Sequence, residues 1–183
     1  PVDATVYVTL EPCCIFGKTP PCTKFLIENS ASEVYVSMLD PNPEVNGNGV
    51  SELIKSGIPV TTGILKKEAE SLNKGFIKTM KYGRPWVIAK AAQSSNGFLG
   101  IDSDSQTWIT GKIAKEHSHN LRASVDAIMV GRQTALIDDP KLTVREVLGN
   151  NPQRIILDTN RKLPLTLNVF RDQQSITKVM CSD

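Results

Sequence analysis

Short apolar strands that alternate with helices are the feature of this sequence that most restricts its fold. Runs of β-branched, aromatic and aliphatic residues predict the strands, while a proline in the first turn or a glycine after the last marks the helices. In the first half of the chain, strands are expected over residues 5–10, 33–38 and 60–64, and helices over residues 21–29 and 49–56. This alternation with short turns favours a largely parallel sheet covered by helices.

A second series of strands and helices begins near the middle of the chain. Before it, a helix is predicted over residues 66–82, because apolar residues recur there at three- and four-residue spacing. They form a stripe that indicates core packing: Ala69, Leu72, Phe76 and Met80. Residues 83–85, Gly-Arg-Pro, end this helix. We therefore expect two domains, residues 1–83 and 84–183, the second with strands over residues 86–89, 127–130, 154–157 and 177–181 and a helix over residues 111–121.

Strands are predicted close to both ends of the sequence. The first begins almost at residue 1, and the last stops shortly before residue 183. We therefore expect the sequence to be truncated inside a domain at each end.

Composition and charge argue against two classes of protein. The 21 basic and 19 acidic residues are mixed along the chain and leave a net charge of +2, so no basic stripe indicates a nucleic-acid partner. No apolar run approaches the ~18 residues that span a bilayer, and the first residues lack the pattern of a signal peptide. We expect a cytoplasmic protein that binds neither nucleic acid nor membrane.

Three of the four cysteines lie within ten residues of one another, at positions 13, 14 and 22. Two thiolates can hold zinc at ~2.3 Å, and a catalytic zinc site needs only three protein ligands. Cys13 and Cys22 are the candidate pair, and Cys22 is expected at a helix N-terminus, whose dipole would stabilise its thiolate. Buried reduced cysteines that pack as small hydrophobes remain an open alternative.

The two histidines, His117 and His119, lie far downstream of the cysteines. Residues two apart on a helix do not face the same way. We therefore interpret both histidines as solvated or structural, and not as metal ligands.

Five segments together resemble a known family. In order and spacing they are similar to the bifunctional diaminohydroxyphosphoribosylaminopyrimidine deaminase / 5-amino-6-(5-phosphoribosylamino)uracil reductase of riboflavin synthesis. The resemblance implies a partial cytidine-deaminase-like α/β/α sandwich followed by a partial dihydrofolate-reductase-like α/β domain. The segments are residues 9–22 apart from positions 14–16 (TLEPC and GKTPPC), 40–43 (DPNP), 72–76 (LNKGF), 108–111 (WITG) and 138–145 (DDPKLTVR).

For the first domain, the resemblance implies zinc-dependent hydrolytic deamination of 2,5-diamino-6-(5-phosphoribosylamino)pyrimidin-4-one. Cys13 and Cys22 would be two of the three zinc ligands. The resemblance puts the third ligand, a histidine, and the proton-carrying glutamate upstream of Pro1, so no catalytic residue is assigned within the sequence.

For the second domain, the resemblance implies reduction of the ribosyl group to ribityl by NADPH. The phosphoribosylaminopyrimidine substrate would lie near Gln106, Arg122, Leu142 and Arg145. NADPH would lie near Ala92, Trp108, Thr134, Asp138 and Thr159. A Gly-x-Gly-x-x-Gly motif is missing from the sequence, so a Rossmann fold has no support.

One departure from the family pattern keeps alternatives open. The family usually has Ser-His-His after the first ligand cysteine, where this sequence has Cys14, Ile15 and Phe16. A reductase with a degenerate deaminase domain is therefore the first alternative. A zinc-stabilised module that binds nucleic acid is the second, and the near-neutral charge argues against it. The sequence leaves open whether the protein forms a homo-oligomer.

Overall fold

The computed structural model describes residues 2–100 and 108–182. The chain divides into two compact units, Pro1–Ala89 and Lys90–Asp183. Each unit contains a three-stranded sheet in which all the strands are parallel. Of the helices in the described ranges, none combines the length and the apolar character that crossing a bilayer requires.

The first unit is a β-α-β-α-β arrangement followed by two helices. Its sheet has the strand order β1-β2-β3, with Val34 opposite Val6 on one side and Val60 on the other. The elements are β1 (Thr5–Val8), α1 (Cys22–Glu28), β2 (Glu33–Val36), α2 (Asn48–Lys55), β3 (Val60–Thr62), α3 (Lys66–Leu72) and α4 (Lys74–Tyr82).

The core of this unit lies on one face of the sheet. Val34 and Val36 of β2 are buried together with Leu53 of α2, and partly buried residues of α1 pack against them. Side chains alternate between the two faces of a strand, so Tyr7 and Tyr35 project from the other face. Their rings stack at 4.8 Å, and Tyr7 is 71% exposed. Helices α1 and α2 thus cover one face, while the predicted α/β/α sandwich would cover both.

The single helix predicted over residues 66–82 is wrong. The structure has two helices, which meet at Asn73, where the side-chain amide donates a hydrogen bond to the carbonyl of Ala69 at 2.9 Å. An asparagine that bonds the local backbone in this way competes with helix continuation. Ala69 is the one buried member of the predicted stripe, and Leu72 is 76% exposed. Core packing of the whole stripe is therefore wrong as well.

The second unit has its own parallel sheet, of strand order β4-β5-β6. The predicted helix and the last three predicted strands of this half are present, within two residues of their expected limits. The elements are α5 (Lys112–Ala123), β4 (Ala127–Gly131), α6 (Arg132–Asp138), β5 (Gln153–Leu157), α7 (Asn168–Arg171) and β6 (Thr177–Met180).

The strand predicted over residues 86–89 does not form. Trp86, Val87 and Ile88 are exposed, and no described strand pairs with this segment. A strand needs a ladder partner for its amide and carbonyl groups, and an apolar composition cannot replace one.

A buried ion pair fixes the second sheet from within. Arg154 of β5 is fully buried and donates to Asp172 Oδ1 and to the carbonyl of Ser175, both at 2.7 Å. Burial alone would raise the pKa of Asp172, but the hydrogen bonds from Arg154 and from the Gln174 amide outweigh it and hold this pKa below its ordinary 3.8. The pair therefore joins β5 to the segment between α7 and β6, next to the core formed by Ile156 and Val169.

We expect Arg154→Met to destabilise the second unit by about 3–5 kcal/mol, because Asp172 would keep a buried carboxylate without its partner. Amide hydrogen exchange of β5 measures this loss for the second unit alone. Arg171→Met is the matched control, since Arg171 is exposed on α7. Equal protection of β5 in the two variants would show that the ion pair does not stabilise the sheet.

Candidate functional site

The loop between β1 and α1 brings Cys13 and Cys22 together. Cys22 is the first residue of α1, as predicted, and its amide donates to the Sγ of Cys13 at 3.3 Å. The next amide, of Thr23, donates to the carbonyl oxygen of Cys13 at 3.1 Å. The first turn of α1 therefore holds both the side chain and the main chain of Cys13.

The pKa of Cys22 is shifted upward, although this residue begins α1. Cys22 is exposed, and partial desolvation of its thiol first, and the neighbouring side chain of Cys13 second, raise its pKa. Burial also raises the pKa of Cys14, helped by the carboxylates of Glu52 and Glu11. Ionising both thiols of the pair is unfavourable because two negative charges would lie close together. A cation placed between Cys13 and Cys22 would remove this penalty.

Metal ligands do not gather into a complete site in the described part of the chain. Within residues 2–100 and 108–182, no group of three or more histidine, cysteine, aspartate or glutamate side chains could hold a metal ion. Cys13 and Cys22 supply two thiols, which suit zinc in chemistry but fall one short of the three protein ligands of a catalytic site.

His119 has a structural role in the second unit. It is buried on α5, and its Nδ1 accepts a hydrogen bond from the amide of Arg145 at 3.1 Å. Burial, followed by the charges of Arg122 and Arg145, lowers the pKa of His119. The ring is therefore neutral at pH 7 and can accept this bond, while His117 is exposed on the same helix.

Two of the predicted substrate residues, Arg122 and Arg145, converge on one buried residue. Arg122 Nη1 donates to the carbonyl oxygen of Thr143 at 2.6 Å, and Arg145 Nη1 donates to the Oγ1 of Thr143 at 2.8 Å. Burial, and then the charge of Arg145, lowers the pKa of Arg122. Arg122 Nε is buried without a hydrogen-bond partner among the described residues. The arrangement brings two positively charged guanidinium groups to the same residue and leaves one enclosed donor without a partner among the described residues.

The segment that carries this cluster is held in a fixed shape. Leu142, the third predicted substrate residue of the described part, is buried with φ 55°, a left-handed conformation that is costly for a branched side chain. Asp139, three residues earlier, accepts hydrogen bonds from the amide and the side chain of Asn168 at 2.7 and 2.8 Å. These contacts hold Thr143 where both arginines reach it.

The predicted cofactor residues are dispersed through the second unit. Thr134 is exposed on α6 just after β4, and Thr159 is exposed just after β5, so both follow the carboxyl ends of neighbouring parallel strands. Asp138 is the last residue of α6. Ala92 is half-buried, and Trp108 is exposed with Lys115 Nζ 5.7 Å from its ring centroid. Gln106, predicted to contact substrate, lies outside the described residues.

Sequence reasoning missed three residues that organise these sites. Thr143 is the shared partner of the two arginines, and a threonine in a loop gives no signal of that role. Thr23 is buried and contacts Cys13, although it reads as an ordinary helix residue. Glu11 is a buried carboxylate, and its position at the end of an apolar strand, two residues before Cys13, is a signal that could have identified it.

An open cavity of about 870 Å³ in the first unit contains none of the predicted metal, cofactor or substrate residues. It lies beside the carboxyl ends of β2 and β3, and several lysines of α3 and α4 border it together with Tyr82 and Trp86. The acidic Glu70 lies among these lysines, and neither Cys13 nor Cys22 lines the cavity.

Comparison with known proteins places the chain in one family. A family model described as RibD C-terminal domain matches residues 85–183. The riboflavin biosynthesis protein RibD of Aquifex aeolicus is 42% identical over 97% of this chain and 50% of its own length. That of Escherichia coli strain K12 is 41% identical over 96% of this chain and 48% of its own length. The chain thus spans about half the length of these curated relatives.

Solved structures agree with these relatives. Acinetobacter baumannii RibD, form 1, matches with a TM-score of 0.88 at 38% identity, over 97% of this chain and 51% of that one. The diaminohydroxyphosphoribosylaminopyrimidine deaminase/5-amino-6-(5-phosphoribosylamino)uracil reductase of Thermotoga maritima matches with a TM-score of 0.88 at 37% identity, over 96% of this chain and 50% of that one. The chain therefore belongs to the RibD family, and its residues 85–183 match the C-terminal domain of that family.

Proposed function

We propose that the second unit is an NADPH-dependent reductase of riboflavin biosynthesis that acts on 5-amino-6-(5-phosphoribosylamino)uracil. The observation that carries this proposal is the convergence of Arg122 and Arg145 on Thr143. Family membership supports the reductase assignment, and the name of the Thermotoga maritima relative includes this substrate. The product would carry a ribityl group in place of the ribosyl group.

The arginine pair would bind the phosphate of the substrate. A guanidinium group is planar, stays charged and offers donors in a fork that matches phosphate oxygens. Two such groups beside each other repel, and a phosphate between them would remove that repulsion. Leu142 would line the same site, and Gln106 would complete it. Arg122 lies on α5, and Arg145 lies on the connection between α6 and β5. Both side chains reach Thr143, so one phosphate group could contact both.

NADPH would bind near Thr134, Asp138 and Thr159, with Ala92 and Trp108 on the same ligand. Ligands of open parallel sheets bind beyond the carboxyl ends of the strands, where Thr134 and Thr159 lie. Their exposed hydroxyl groups suit the polar parts of a dinucleotide, and the exposed ring of Trp108 suits a flat heterocycle. NADPH supplies the hydride that reduces the sugar carbonyl, and the protein binds and orients the two reactants.

A second function, deamination of the same class of pyrimidine on zinc, is proposed for the first unit in the complete protein. The observation that favours it is the proximity of Cys13 and Cys22. These two residues would hold zinc with a further ligand from elsewhere in the complete protein, and zinc would lower the pKa of a bound water. The cytidine-deaminase-like fold is part of this proposal.

The reductase-only alternative differs from this proposal in one respect. Cys14, Ile15 and Phe16 stand where the family usually has Ser-His-His, so this loop would lack polar contacts to a pyrimidine. In either case we propose a cytoplasmic enzyme whose partners are small molecules.

We expect Arg145→Ala to lower kcat/KM of the complete enzyme about 10- to 100-fold, mainly by raising KM, because a charge-assisted bond to phosphate is lost. Steady-state NADPH oxidation with the phosphoribosylaminouracil substrate measures the change. Arg171→Ala is the control, as it removes an exposed arginine of the same unit. An unaltered KM in the Arg145 variant would remove this residue from the substrate site.

We expect Cys13→Ser to abolish the zinc binding proposed for the complete protein, because a hydroxyl is a much poorer zinc ligand than a thiolate. Elemental analysis after exhaustive dialysis measures zinc per chain. Cys181→Ser is the control, since Cys181 is exposed in the second unit. Full zinc content in the Cys13 variant would contradict the proposed metal pair.

A further inference from the structure

Glu11 is a buried carboxylate that lies two residues before Cys13. Its side chain is 3% exposed, and both carboxylate oxygens accept backbone hydrogen bonds. Oε2 accepts from the amides of Asp40 and Gly47, and Oε1 accepts from that of Val50, each at 3.0 Å. Glu11 therefore joins the end of β1 to the loop after β2 and to the first turn of α2.

Burial of a carboxylate is costly unless its charge is compensated. Here three amide groups supply the compensation, and that of Val50 belongs to the first turn of α2, where amides lack a helical partner. No lysine or arginine forms an ion pair with Glu11 in the described chain. The carboxylate is thus matched to the backbone around it, and an amide side chain could not accept on both of its atoms.

The residue between Glu11 and Cys13 is tightly packed. A Cβ atom at Gly49 would overlap the carbonyl oxygen of Pro12, so α2 lies against the chain just before Cys13. The amide of Glu11 donates to the carbonyl of Met38 at 3.0 Å, which fixes the same segment from the side of β2. The chain that enters Cys13 therefore has little freedom to move.

Thr23 fixes the other side of the cysteine pair. It is fully buried next to Cys22, its amide donates to the carbonyl of Cys13, and its hydroxyl donates to Glu52 Oε2 at 2.9 Å. Glu52 lies on α2, the helix whose first turn binds Glu11. Helix α2 consequently holds the chain before Cys13 through Glu11 and the chain after Cys22 through Thr23.

We propose that Glu11 and Thr23 are positioning residues that hold the thiols of Cys13 and Cys22 together, ready for one two-thiol ligand. The functional meaning of this inference rests on the proposed metal-binding role of Cys13 and Cys22. The positioning of the two thiols, however, can be measured without zinc and without enzyme activity. Partners that orient metal ligands typically change affinity about 10- to 100-fold when they are removed.

Phenylarsine oxide is a suitable probe, because its arsenic binds two neighbouring thiols and releases water. In a Cys14→Ser/Cys181→Ser background, Cys13 and Cys22 are the remaining thiols. We expect Glu11→Gln and Thr23→Val each to raise the dissociation constant of the arsenical about tenfold or more. Thr23→Ser should restore the affinity because it keeps the hydroxyl. Glu44→Gln, which removes an exposed carboxylate from the loop between β2 and α2, should leave the dissociation constant unchanged.

A purely structural role would give a different pattern. Glu11→Gln and Thr23→Val would then lower the unfolding midpoint while binding the arsenical as tightly as the parent at temperatures where they are folded, and that result would overturn the proposal. If Glu11→Gln does not fold, the arsenical affinity of Thr23→Val, which keeps the side-chain volume, distinguishes positioning from a purely structural role. Weak binding by the parent itself would also overturn it. If the parent binds the arsenical tightly but the complete protein contains no zinc, the metal proposal is contradicted and the positioning proposal stands.

Discussion

In each unit, alternate residues of three parallel strands direct their side chains toward the covering helices, and the burial of that row sets the position of everything else. Val36 in the first sheet and Ile156 in the second are fully buried in such rows. Parallel strands need a crossover for every connection, so the chain returns across the sheet each time. The loops that result carry the cysteine pair in one unit and the arginine pair in the other.

Buried polar groups give these loops a definite shape. Glu11 accepts hydrogen bonds from three backbone amides. Arg154 forms an ion pair with Asp172, and Asp139 accepts a hydrogen bond from the amide of Asn168. Each lies within a few residues of a predicted site residue or of the strand that leads to it. Hydrogen-bonded charges that are removed from water are costly to disrupt, which suits segments that must present ligands in a fixed arrangement. Both units thus use buried charged side chains to fix the loops that carry the candidate site residues.

The sequence allowed the regular elements to be predicted better than the environments of the side chains. Apolar runs located β2 and β5, and the proline pair before Cys22 located the start of α1. The apolar run at residues 86–89 led to a wrong strand prediction, because a strand needs a neighbouring strand to pair with and composition does not reveal one. Asn73 interrupts a helix by a side-chain hydrogen bond that helical periodicity does not register. The raised pKa of Cys22 depends on partial desolvation and on a neighbour nine residues away, and the role of Thr143 depends on tertiary contacts alone.

The central claim is that the arginine pair around Thr143 binds the phosphate of a sugar-phosphate substrate. Titration of the protein with ribose 5-phosphate, followed by two-dimensional proton–nitrogen NMR, tests this directly. We expect saturable shifts of the Arg122 Nε–H signal, which has no hydrogen-bond partner among the described residues, and of the amide signals of residues 143–145. Shifts confined to other parts of the chain, with these signals unmoved at saturation, would contradict it.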